Sequence, residues 1–186
     1  MRIIGGKWRG KKLCKIKDSK ETLCLRPTKD RVKESIFNIL MHGSYPSLQG
    51  KNILDLCAGT GALGFEALSR GSDFVNFIDN STFSVSIIKN NCKILGVDEE
   101  ANVLKCDVTD LKQNGDKKYN YVFLDPPYGK GLGELALMSA MRANFFSAGC
   151  IIIWEEKNFS DLPPEFNSLE IRNFQRTRVN FLQYCG

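Results

Sequence analysis

Short apolar runs alternate with longer amphipathic stretches through most of this chain. Runs at 53–57, 74–78, 101–106, 121–124 and 150–154 have the length of strands. The segments 61–70, 81–95 and 131–143 between them are long enough for helices. In 81–95 the apolar positions Val85, Ile88, Cys92 and Leu95 follow helical spacing, and Ser81 can cap the start. Near-continuous apolar strands separated by helices predict a parallel sheet covered on both faces. The end of the chain differs. Leu169, Ile171 and Asn173 alternate with polar neighbours, and Val179, Phe181 and the residues up to Tyr184 follow a turn at 175–177. That pattern predicts an antiparallel hairpin closing the sheet. Ahead of the sheet, residues 2–25 read as small strands broken at Gly5–Gly6 and Gly10. Residues 29–40 form a helix with Val32, Ile36, Ile39 and Leu40 on one face and Thr28 as its cap. Pro27 holds Arg26 extended just before it. The expected architecture is α/β: a Rossmann-like, mainly parallel sheet domain over 28–186, preceded by a small β extension over 1–27.

Composition adds bounds. The 186 residues, 42% hydrophobic and 25% charged, are enough for one domain with a sizeable core. No apolar run approaches the ~18 residues of a membrane span. The opening MRIIGGKWRGKK lacks the apolar stretch of a secretory signal, so a cytoplasmic location is expected. The seven cysteines are scattered and form no CxxC pair, which predicts reduced thiols rather than a disulfide framework or a zinc site. A single histidine, His42, excludes chemistry built on several. No metal is expected.

Charge is more informative than its net value of +5. Residues 1–31 carry 11 Lys/Arg against 3 Asp/Glu, or +8, and the other 155 carry 15 against 18, or −3. A basic region attached to a near-neutral body suits a polyanion, with nucleic acid favoured over a solvated arm. Lys7, Arg9, Lys11 and Lys12 are the expected phosphate contacts. Arg26 is expected to reach a substrate phosphate or a cofactor carboxylate. Trp8 is expected to pack beneath the small strands, with stacking on a base as the alternative.

The stretch ILDLCAGTGALGFEAL reads as strand, glycine turn and helix. Gly59, Gly61 and Gly64 satisfy GxGxxG, and Asp79 follows 20 residues after Gly59. Alone, this also fits a dinucleotide fingerprint. Asp55 separates the readings, because its carboxylate would repel a pyrophosphate over the turn. S-adenosylmethionine carries a sulfonium and an ammonium, which a nearby carboxylate favours. Asp79 can accept from both ribose hydroxyls, and Asp107, past the third strand, from the adenine amine or from its own loop. The expected cofactor set is Asp55, Ala58, Gly59, Thr60, Gly61, Asp79, Asn80, Asp107 and Asp125.

Asp125-Pro126-Pro127-Tyr128 closes the fourth strand, where open parallel sheets present their ligands. Successive prolines stiffen the backbone and remove its donors. An exocyclic amine on a nucleobase is a poor nucleophile, because its lone pair is conjugated with the ring. The Asp125 carboxylate and Pro126 carbonyl can hold its two N–H bonds and steer the lone pair toward a methyl group. Tyr128 offers a stacking face. Asp125, Pro126, Pro127 and Tyr128 form the expected catalytic set.

DPPY in this place resembles the amino-directed nucleic-acid methyltransferases. RIIGGKWRGKKL, LRPTKDRVKESIFNIL, LDLCAGTGALGFEALSRG and FLDPPY are similar to the bacterial RsmD family, and the likeness runs from about Arg2 to Tyr184. The resemblance implies a class I S-adenosylmethionine-dependent methyltransferase fold. It also implies methylation of a guanine N2 amine in 16S ribosomal RNA, as naked RNA or in the small subunit, by a monomeric enzyme. Asp79 stands where the family usually has glutamate, Asn120 replaces an acid, and RTRVNFLQY lacks an expected glycine. The nearest competing reading is a DNA adenine-N6 methyltransferase, though 186 residues leave little room for target recognition. A small-molecule methyltransferase has no use for a +8 region. A plain RNA-binding module explains neither the glycine loop nor Asp55.

Overall fold

The computed structural model describes residues 1–14, 30–113, 115–159, 162–174 and 177–186. Arg26, Pro27, Thr28 and the turn residues 175–176 lie outside them, with the expectations placed on them. Among the described residues the helices are α1 (Asp30–His42), α2 (Ala62–Ser69), α3 (Thr82–Leu95) and α4 (Leu132–Arg142). The strands are β1 (Asn52–Leu56), β2 (Phe74–Asp79), β3 (Ala101–Lys105), β4 (Tyr119–Leu124), β5 (Phe146–Glu156), β6 (Phe166–Phe174) and β7 (Thr177–Tyr184). They form one sheet in the order β3-β2-β1-β4-β5-β7-β6. The first five run parallel, and β7 pairs antiparallel with both β5 and β6. This is the predicted parallel sheet with its closing hairpin.

Alternation along each strand divides the core into two layers. Ile53, Val75, Phe77, Tyr121, Phe123, Ile153 and Phe181 meet α1, α2 and α3 on one face. Leu54, Leu56, Ile78, Val122, Leu124, Ile152 and Trp154 meet α4 on the other. Ser81 caps α3 as expected, its hydroxyl accepting from the Ser84 amide at 3.3 Å. The fifth strand begins earlier than its apolar run. The β4–β5 register jumps from Tyr119–Phe146 to Tyr121–Ile151, and the extra residues include Gly149 at φ +69°. A bulge of this kind interrupts apolar patterning without ending the strand. Among the described residues no helix is long and apolar enough to cross a membrane.

Of the short strands expected over 2–25, residues 15–25 lie outside the described ones; the described part shows one antiparallel bridge, Arg2 with Lys12, around a 3-10 turn at Gly6–Trp8. Ile3 and Leu13 are buried in the α1–α3 layer. The segment is held from below by Glu66 of α2. That carboxylate accepts from the amides of Ile4 at 2.9 Å and Gly5 at 2.7 Å, and pairs with Arg70 and Lys33. Lys33, 1% exposed, also donates to the Arg2 carbonyl at 2.8 Å. Burial pulls its ammonium below the usual lysine value, against the opposing charge of Glu66.

Candidate active site

Side chains gather where β1, β2, β4 and β5 end, the edge at which open parallel sheets take ligands. After β1 the chain turns at Cys57, which adopts a left-handed φ of +59°. Gly61, at φ +76°, then opens α2. Gly64 lies flat against the sheet, since a Cβ there would stand 2.3 Å from the Phe77 ring. The turn is tied to β2 by the Ala58 amide, which donates to the Ile78 carbonyl at 3.1 Å.

Asp55 is buried on the α2 face, and its Oδ2 accepts from the Gly64 amide at 2.9 Å. Desolvation raises its carboxyl well above the ordinary range, and the charges of Asp125 and Asp79 add to the rise. Asp79 joins the turn to α3: Oδ2 accepts from the Gly59 amide at 2.8 Å and Oδ1 from the Ser81 amide at 2.9 Å. Asp79, Asp125, Asp55 and Asp107 all add to the burial that pushes the Cys57 thiol up. Asp55 and Asp79 therefore bind the turn directly, and the charges of Asp125 and Asp107 also reach it. Such a set fits a cation and repels a pyrophosphate. It suits the sulfonium and ammonium of S-adenosylmethionine.

The remaining predicted residues are placed less uniformly. Ala58 and Thr60 are buried, and the Thr60 hydroxyl donates to the Met1 sulfur at 3.0 Å. Asn80 is exposed at the rim. Asp107 is exposed too, and its Oδ1 already accepts from the Thr109 amide and hydroxyl, which lower its carboxyl value. Pro126 is buried, while Pro127 is exposed. Tyr128 is half-buried and donates its hydroxyl to Glu155 on β5. Lys7, Arg9, Lys11 and Lys12 are exposed on the N-terminal segment. Trp8 packs partly against the core, with the Lys7 ammonium 4.1 Å from its ring centre.

Sequence reasoning missed Glu155 and Glu156. Both are buried at the carboxyl end of β5. An open pocket of about 130 Å³, lined by Tyr128, Gly129, Glu156, Lys157 and Asn158, lies beside them. The signal was available in two acids closing the apolar run CIIIWEE. Lys33 and Glu66 were missed as well, Glu66 being the one charge in the wholly buried α2.

This fold and its acidic, glycine-lined edge define a class I methyltransferase, a fold that implies use of S-adenosylmethionine. Residues 1–184 match the family described as Conserved hypothetical protein 95, and the chain belongs to it, the RsmD family. Ribosomal RNA small subunit methyltransferase D of Haemophilus influenzae is 38% identical over 169 residues, 89% of this chain and 83% of its own. The protein of that name from Buchnera aphidicola (subsp. Acyrthosiphon pisum) is 32% identical, over 99% of this chain and 93% of its own. The solved structure of YhhF from Escherichia coli superposes with a TM-score of 0.85 at 30% identity, covering 100% of this chain and 98% of that one.

Proposed function

We propose that this protein transfers a methyl group from S-adenosylmethionine to the exocyclic N2 of a guanine in 16S ribosomal RNA. The observation that carries the reading is Asp125-Pro126-Pro127-Tyr128 at the end of β4, directly beside a turn surrounded by carboxylates. The relatives named as small-subunit ribosomal RNA methyltransferases support the same substrate. Bound S-adenosylmethionine supplies a methyl group activated by its sulfonium. Asp55 and the glycine turn set the cofactor's position, and the lone pairs left on Asp79 receive ribose hydroxyls. Asp125 and the Pro126 carbonyl accept the two N–H bonds of the amine and aim its lone pair. The Tyr128 ring, held by Glu155, stacks on the base. Catalysis in such an in-line displacement is mostly positioning and charge stabilisation. Lys7, Arg9, Lys11 and Lys12 hold phosphates of the RNA.

The test is incubation with labelled S-adenosylmethionine and, in turn, undermethylated small subunits, free ribosomal RNA and DNA. Label recovered as N2-methylguanosine from small-subunit RNA is expected. Label in DNA adenine would replace this reading with the adenine-N6 one.

A further inference from the structure

We infer that Glu156 selects the base, by accepting the ring N1–H of guanine in the pocket beside Tyr128. The inference rests on the proposed guanine-N2 reaction and adds to it a residue that discriminates among bases. Glu156 is the last residue of β5 and only 5% exposed. Its Oε1 accepts from the Lys157 amide at 2.8 Å. Among the described residues its Oε2 has no hydrogen-bond partner, and the side chain lines the pocket with Tyr128 and Gly129. Oε2 is not among the unpartnered oxygens sealed inside the protein, so a donor that enters this pocket can reach it. Register puts Glu156 in the right place. It stands two residues beyond the Leu124–Trp154 pair on β5, as Pro126 does on the β4 side.

The chemistry of the bases then decides what fits. Adenine, cytosine and guanine each carry an exocyclic amine. Beside that amine adenine has a bare N1 lone pair and cytosine a bare N3 lone pair, and a carboxylate repels both. Guanine carries N1–H next to its N2 amine. With Asp125 and Pro126 on the amine, Glu156 accepts from the neighbouring ring nitrogen. Sites that hydrogen-bond a substrate N–H reject analogues lacking it far more strongly than apolar pockets reject a missing methylene.

The test uses small-subunit particles whose acceptor nucleotide has been mapped by mass spectrometry and then replaced by 2-aminopurine. That base keeps the C2 amine and presents a lone pair at N1. The wild type should prefer guanine in kcat/KM by about 10²-fold or more. Glu156→Gln should narrow that preference by roughly tenfold or more, because the amide can donate to the 2-aminopurine N1. Part of the change should be an absolute gain on 2-aminopurine, which a misfolded variant cannot produce. Affinity for S-adenosylhomocysteine, read by calorimetry, should stay unchanged. An unaltered guanine to 2-aminopurine ratio would overturn the assignment of Glu156 while leaving the reaction standing. A wild-type enzyme that methylates no guanine amine would remove the reaction and, with it, this role.

Discussion

At the scale of single residues, Asp55 sets function against stability. Its buried carboxylate faces Asp79 and Asp125, and the folded protein therefore holds its proton more tightly than the unfolded chain does. An acid raised in this way contributes stability that is present below the unfolded value, about 3.9, and lost as pH rises through the folded one. Asp55→Asn keeps an oxygen for the Gly64 amide and removes the buried charge. Thermal midpoints should show the variant more stable than the wild type at pH 8, with the gap closing as pH falls toward 4. Its affinity for the cationic cofactor should drop. A gap that does not change with pH would show that Asp55 titrates alike in the folded and unfolded chains. Asp125 follows β4, where the proposed transfer takes place, and Asp125→Ala should cut turnover by about 10² or more. Cofactor affinity should stay nearly intact, since the turn is held by Asp55 and Asp79. A variant that loses cofactor but keeps its rate per complex would move Asp125 out of the catalytic step. For Tyr128 the hydroxyl and the ring separate. Tyr128→Phe should retain most turnover and lose about 1–3 kcal/mol of stability, because Glu155 loses a donor. Tyr128→Ala should lose turnover as well, and equal losses in both variants would argue against stacking.

At the scale of elements, α2 does two tasks at once. Its N-terminal end forms the glycine turn, while Glu66 near its middle receives the N-terminal segment. Glu66→Ala leaves Lys33 as a buried charge and two amides without acceptors. The cost expected for breaking a buried pair is about 3–5 kcal/mol, measurable by urea unfolding. A loss below about 1 kcal/mol, the range of surface pairs, would mean that the N-terminal segment rests on Ile3 and Leu13 instead. The strands and helices were legible in the sequence because their signals are local: apolar runs for β1 and β4, helical spacing and the Ser81 cap for α3. The glycine turn and Asp125-Pro126-Pro127-Tyr128 were legible for the same reason. Glu66 was not, because its partners Ile4 and Gly5 lie 62 and 61 residues away. Glu156 was hidden differently. Its meaning depends on β5 lying next to β4, and no local pattern states that order.

At the scale of the whole molecule, the charge asymmetry acquires a shape. The excess of positive charge near the N-terminus is not a free arm in its described part. The Arg2–Lys12 bridge, the Ile3 and Gly10 backbone bonds and the Glu66 contacts hold it against the face that carries the glycine turn. Lys7, Arg9, Lys11 and Lys12 thus project from a backbone that folding has already ordered, so the proposed phosphate contacts would cost less entropy. Each phosphate contact releases counterions and adds a slope of about −0.7 to −0.9 to the dependence of log K on log salt. Replacing Arg9, Lys11 and Lys12 together with alanine should therefore flatten that dependence by about two to three units. Cofactor affinity should not change, since none of the three contacts the turn, and neither should thermal stability, since all three side chains are exposed. The triple variant separates the segment's electrostatic task from its structural one, which Glu66 carries. Filter binding of small-subunit RNA from 50 to 300 mM salt reads the slope directly. Equal affinity and equal slope in wild type and variant would show that these cations face only solvent, and the RNA path would have to be sought along the carboxyl edge of the sheet.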